Sequence, residues 1–569
     1  MVPDDERTLR PGEVQVVILS FCPASEAQVE ALLDAARHGL TSEVETILQR
    51  PQDPDSPAPL FEHDYGQYGG HTPLYVAAQT GQVAVARLLL EAKADTDKAV
   101  CGFTPLFFAA QNGRLEFVRL LLEANADKDK AQNQGATPLY IAAEKGQLKV
   151  VRLLLDAKAD KDRATHGGTT PLFIAALRGQ HEVARVLLEA KADKDKTKYG
   201  TSPLYIAVET RHLEVAHVLL EAKADQNEAN CQGATPLFSA AQQGQHEVAR
   251  LLLEAKADKD KSMHDGTTPL FIAAQNGQLE VARLLLEANA DKDKATKKGV
   301  TPLYIAAEKG QLEVAHTLLE AKADKDKAKL NGATPLLVAA QHGQHKVARI
   351  LLEAKADKDD AMLGFTPLFV ASQNGHLQVA RLLLEAKADK DKGKQNGSTP
   401  LFAAAQYRQF EVACLLLEAK ADKDKANENG ATPLHIAVEK GQPQWEVVRL
   451  LLAAKADKAK ADQDKATKNG ATPLFVAAQY RQFEVACLLL EAKADKDKAN
   501  ENGATPLHAA IEKGQREVAR LLLEAKADKA KADKDKALPD GTTPVFVAAE
   551  NGLVAVARLL VESRQDRHS

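Results

Sequence analysis

The stretch GATPLYIAAEKGQLKVVRLLLDAKAD, residues 135–160, contains a complete folding unit. Thr137 is a good helix N-cap, and Pro138 stands at the first helical position, where a missing N–H costs nothing. Leu139, Ala142 and Ala143 then recur at helical spacing, and Gly146 can take the left-handed conformation that ends a helix. A second helix is predicted to turn Val150, Leu153 and Leu154 inward and Lys149, Arg152 and Asp156 outward. Two helices this short cannot bury their apolar faces alone, so a neighbouring pair must cover them.

The rest of the chain supplies the neighbours. Thr-Pro-Leu or a close variant starts at Thr72, Thr104, Thr137, Thr170, Ser202, Thr235, Thr268, Thr301, Thr334, Thr366, Thr399, Thr432, Thr472, Thr505 and Thr543. The steps are 32 or 33 residues, apart from one of 40 and one of 38. A period of this size predicts an all-α repeat solenoid. Residues 404–435 recur unchanged at 477–508, a duplicated two-unit block. Whole units can therefore be inserted, which points to function on an extended surface.

Composition agrees. The hydrophobic share of 44% suffices for a core, and the single Trp and 5% aromatic content suit one built from Leu, Ala and Val. A formal net charge of -5 argues against a dedicated nucleic-acid binder. Five scattered cysteines form neither a disulfide framework nor a zinc site, so a reducing, cytoplasmic setting is expected, with the nucleus also open. No apolar run approaches the roughly 20 residues of a membrane span.

With its TPL cores and AKAD turns, the chain resembles the ankyrin-repeat family, whose pattern is roughly GxTPLHxAAxxGxxxxVxxLLxxGADxN. The resemblance implies helix-turn-helix units linked by β-hairpin fingers in a curved open array. It divides the chain into an N-terminal segment (1–29), a degenerate capping repeat (30–50), a loop (51–70), fifteen repeats (71–562) and a tail (563–569). Residues 8–21, TLRPGEVQVVILSF, read as a turn and a β-strand, similar to the closing strand of ubiquitin-like domains. Three departures stand out. The histidine of TPLH survives only as His435 and His508; the glycine before Ala-Asp is Lys or Asn, as at Lys93, Asn125, Lys158 and Asn289; and Arg211, Arg408 and Arg481 replace the glycine between helices. Lysine in a left-handed turn should cost about 1 kcal/mol relative to glycine, and the arginine turns are expected to be tighter or rearranged.

No catalytic constellation emerges. HEVAR at His181 and His246 begins like a zinc-protease motif but lacks its second histidine, and there is no phosphate loop or nucleophile elbow. No enzyme activity, cofactor or metal is expected. The resemblance instead implies a protein-interaction scaffold or adaptor, monomeric, with no nucleic acid among its partners and no membrane insertion. The alternative is a substrate-recruiting subunit of a ubiquitin-ligase complex. In the family, fingers and first helices line the binding face. Here the finger bases, typified by EAKADKDK, scarcely vary and read as self-neutralised spacers in which neighbouring fingers pair Lys with Asp. The tips vary, so the expected partner anchors are Phe103, Tyr199, Met263, Leu330, Met362, Phe365 and Leu538, although Phe103 and Phe365 equally suit packing in shortened fingers. A weaker set is the aromatic column on the first helices, Tyr75, Phe107, Tyr140, Tyr205 and Tyr304, for which inter-repeat packing is the better reading. Trp445, beside the inserted Pro443-Gln444, is a further candidate contact.

Overall fold

In a computed structural model, the residues described are 25–49, 53–57, 70–440, 445–454, 463–525 and 536–565. The strand expected at 8–21 lies outside them, as do most of the 51–70 loop, Pro443-Gln444 and much of the two longer fingers. Among the described residues, 32 helices alternate in pairs from Glu26–His38 to Val554–Gln565. They fall into two compact units, Met1–Met263 and His264–Ser569.

In the first unit, Pro138–Glu144 and Leu148–Asp156 show why each pair forms. Thr137 Oγ1 accepts the Tyr140 N–H at 3.1 Å, and the threonine itself is fully buried. Gly146 takes φ 70° and reverses the chain. Leu139, Ala142, Ala143, Val150 and Leu154 are buried as expected, but Val151 is buried where Leu153 was expected and Leu153 is only half covered. Within each unit, first helices pack on first helices and second helices on second helices of the next pair.

In the second unit the same plan recurs, for example in Pro400–Gln406 with Phe410–Glu418. Leu401, Ala404 and Leu416 have no exposed surface. The arginine turns are neither tighter nor rearranged: Arg408 and Arg481 adopt φ 67° and 64°, the conformation glycine holds elsewhere. Arg211 does the same in the first unit at 63°, and its Nε donates to Gln243 Oε1 of the next repeat at 2.9 Å. Lysines before Ala-Asp are left-handed too, among them Lys158 at 64° and Lys387 at 59°.

Candidate partner-binding surface

The fingers begin at those left-handed lysines, and their bases are built differently from the expected Lys–Asp pairing. In Lys387-Ala-Asp-Lys-Asp-Lys392, the first aspartate closes a local turn, Asp389 Oδ1 accepting the Asp391 N–H at 2.9 Å. The second reaches into the next repeat, where Asp391 Oδ1 accepts the Asp422 N–H at 2.8 Å. Lys425 of that repeat returns a bond, its Nζ donating to the Asp391 carbonyl at 2.7 Å. The same exchange joins Asp162 to Asp193 and Lys196 in the first unit, at 2.7 and 2.8 Å. Asn227 fills the second-aspartate position there and does the same work, accepting the Asp258 N–H at 2.7 Å. The acceptor oxygen matters at this position more than its charge. Lys–Asp ion pairs do occur, but between sequence neighbours such as Lys194 and Asp195 at 2.9 Å and Lys325 and Asp326 at 3.0 Å. The charged run is an inter-repeat hydrogen-bonded ladder.

The expected β-hairpins reduce to turns. Among the described residues, only three single-pair bridges remain, Val100 with Phe103, Lys198 with Thr201 and Met362 with Phe365. All three belong to units of 32-residue spacing. Each spans a two-residue turn with positive φ at both central residues, at Cys101-Gly102, Tyr199-Gly200 and Leu363-Gly364. That is the type I′ pattern, which favours Asn, Asp or Gly at its first central position. The 33-residue fingers use a longer loop, as at Asn427–Ala431, where only Gly430 is left-handed and Asn427 Oδ1 accepts the Asn429 and Ala431 N–H groups at 3.0 Å.

The nominated tip residues separate accordingly. Tyr199 is 79% exposed and Leu330 80% exposed. Phe103 is half-buried, its ring 5.1 Å from Phe107 and 5.5 Å from Phe108. Phe365 is half-buried too, 5.4 Å from Phe369, with Lys394 Nζ 4.3 Å from its ring centre. Met263, Met362 and Leu538 are partly covered. Leu363 was missed, yet it is 68% exposed at φ 51°. Its signal was the one-residue shortening that places Leu-Gly in a two-residue turn. Trp445 opens the helix Trp445–Ala453 and remains 38% exposed.

Tyr75, Phe107, Tyr205 and Tyr304 are buried in the column, while Tyr140 is half-buried. Burial pushes the Tyr75 hydroxyl up to about 12, and raises those of Tyr140, Tyr205 and Tyr304 as well. Tyr205 Oη accepts a hydrogen bond from Asn230 Nδ2 at 3.0 Å. The column therefore belongs mainly to the packing between repeats. The two remaining histidines are buried in the same place. Nδ1 of His435 accepts the Thr432 N–H at 3.2 Å, so its Nε2–H is the donor to the Ala471 carbonyl at 3.1 Å. Burial pulls the imidazole down to about 4.

Each unit carries a groove of useful size. One, of about 740 Å³, lies on the second helices of the first unit and is lined by His181, Arg185, His217, His246 and Arg250 over Leu213. Carboxylates stand against several of these side chains, Glu182 beside His181 and Glu221 beside both Arg185 and His217, each at 3.5 Å. The other, of about 640 Å³, lies between fingers and first helices of the second unit. Phe369, Phe402 and Tyr407 line it beside Asn427, Asn429 and Asn469, and Lys394, Lys440 and Lys468 face a single carboxylate, Glu439. Amide groups can bond an extended backbone, and the lysine excess favours acidic ligands. Among the described residues no cluster of His, Cys, Asp and Glu could hold a metal ion, and no helix is long and apolar enough to cross a membrane.

Comparison with known families agrees with the fold. The model described as ankyrin repeats (three copies) matches in overlapping segments that run from 32–132 to 492–568. No curated protein matches the chain. With that model tiled over most of its length and the paired helices behind each match, the chain belongs to the ankyrin-repeat family.

Proposed function

We propose that this chain is a non-catalytic scaffold or adaptor that holds partner proteins on the face formed by its fingers and first helices, in a reducing intracellular compartment. Ankyrin repeats are generic protein-interaction modules, and the family is typically non-catalytic. The observation that carries the reading is the second unit's groove, where three lysines and several amides surround aromatic residues with only Glu439 opposing them. Pockets of this mixed character suit an extended acidic segment better than a small-molecule substrate.

Lysine-directed cross-linking of the purified chain in cell extract, read by mass spectrometry, tests this assignment. Links to partners are expected to concentrate at Lys394, Lys440 and Lys468. Links confined to second-helix lysines such as Lys346 would overturn it.

A further inference from the structure

The second unit presents two large apolar residues on adjacent finger tips, Leu330 at 80% and Leu363 at 68% exposure. The tips touch in sequence. The Leu330 N–H donates to the Lys298 carbonyl of the preceding finger at 3.4 Å, and a Cβ built on Gly299 would lie 3.0 Å from Leu330 Cγ. A Cβ on Gly332 would lie 3.7 Å from Met362 Cγ, beside Leu363, and one on Gly364 only 2.7 Å from the Gln395 backbone nitrogen of the following tip. Leu330 and Leu363 thus stand side by side in a continuous row of tips.

Neither leucine is there for packing. Leu363 also holds φ 51°, a left-handed position where asparagine or glycine would sit with less strain. Unfavourable backbone conformation around an exposed side chain is a feature that concentrates at ligand-gripping sites. Charge indicates the ligand. Exposed Lys297 and Lys298 occupy the tip before the pair, and Lys394 follows it. The nearby acids include Asp360, its Oδ1 accepting the Ala361 N–H at 2.8 Å, and Asp265, its carbonyl accepting the Lys297 N–H at 2.9 Å.

Resting on the scaffold reading above, we propose that Leu330 and Leu363 dock an acidic, unfolded segment of a partner protein that carries two large apolar residues three positions apart. Successive repeats lie about 10 Å apart, a helix-packing distance. A chain in the polyproline II conformation has three residues per turn and rises about 3.1 Å per residue, so residues three apart face the same way about 9 Å apart. Their side chains cover the two leucines while flanking carboxylates meet the lysines.

Fluorescence anisotropy with the full chain and a labelled peptide, Glu-Asp-Glu-Phe-Asp-Pro-Leu-Glu-Asp-Glu, tests the proposal. Saturable binding is expected, weakening about tenfold with Leu363→Asn or Leu330→Asn and falling as salt rises. Leu363→Asn should also raise the unfolding temperature, which separates lost binding from lost folding. A peptide with Ser in place of Phe and Leu should bind much more weakly; equal binding would overturn the proposal in favour of plain charge attraction. If Lys440→Glu abolished binding and the tip variants did not, the groove alone would be the site. That result would overturn the tip assignment and keep the scaffold reading. Absence of binding by any peptide would also sink the tip proposal, without touching the cross-linking result that tests the scaffold.

Discussion

The base and the tip of a finger lie a few residues apart yet follow opposite rules. At the base, the aspartates and the last lysine of the repeated run are bonded: Asp389 turns the chain, Asp391 holds the Asp422 N–H, and Lys425 holds the Asp391 carbonyl. At the tip, Leu330, Leu363 and Tyr199 are mostly exposed, two of them at positive φ. The repeated residues therefore maintain the register between repeats, and the variable ones are available to a partner. Within the tips there is a second contrast. The longer loops place glycine at the left-handed position, as at Gly430, whereas the shortened ones place Cys101, Tyr199 or Leu363 there as well.

The largest effect expected is one of pH, where a first helix meets the finger that follows it. His435 donates from its repeat to the Ala471 carbonyl in the finger that follows, and its imidazole is held down to about 4 against an ordinary value near 6.5. Protonation is thus disfavoured in the folded state. The stability carried by the neutral ring is present in full above about pH 6.5, falls as pH drops toward 4, and is then fully lost, on the order of 3 kcal/mol. Urea midpoints at pH 7 and pH 4.5 should show a larger drop for the parent chain than for His435→Phe, which installs the residue most other repeats carry. An equal drop in both would remove His435 from the account.

The ladder comes next. Asp391→Ala leaves the Asp422 N–H without its acceptor and should cost about 1–3 kcal/mol, with faster amide exchange at Asp422. Asp391→Asn should change little, because Asn227 already performs the same task at its own position. A large loss with Asn would mean that charge holds the ladder, contrary to the geometry. Smaller again, and opposite in sign, Lys387→Gly relieves a left-handed lysine at φ 59° and should stabilise by about 1 kcal/mol, read as a raised urea midpoint.

Much of the frame was legible because its signals are local. The Thr-Pro start, the stripe of Leu and Ala and the glycine stop each have a short-range physical reason, and the structure places Thr137, Pro138 and Gly146 in those roles. The lysine turns were legible for the same reason. The exchange of Leu153 for Val151 was not, since apolar residues two positions apart on a short helix whose neighbours are also apolar are separated only by what packs on them. The ladder was hidden more deeply. Asp391 and Asp422 lie a repeat apart, and composition alone suggests charge pairing where the bonds go to the backbone. At the tips, Phe103 and Phe365 carried the same apolar signal as Leu330, and only their contacts with Phe107 and Phe369 distinguish packing from exposure.

The division between base and tip is tested most directly by comparing the urea midpoints of Asp391→Ala and Leu363→Asn with that of the parent chain. The account predicts opposite shifts. The base variant should unfold at lower urea because the inter-repeat exchange of hydrogen bonds through Asp391 is broken, and the tip variant at higher urea because asparagine accepts the left-handed turn that leucine resists. A lower midpoint for Leu363→Asn would show that the leucine serves the fold, and would contradict the separation of structural bases from binding tips.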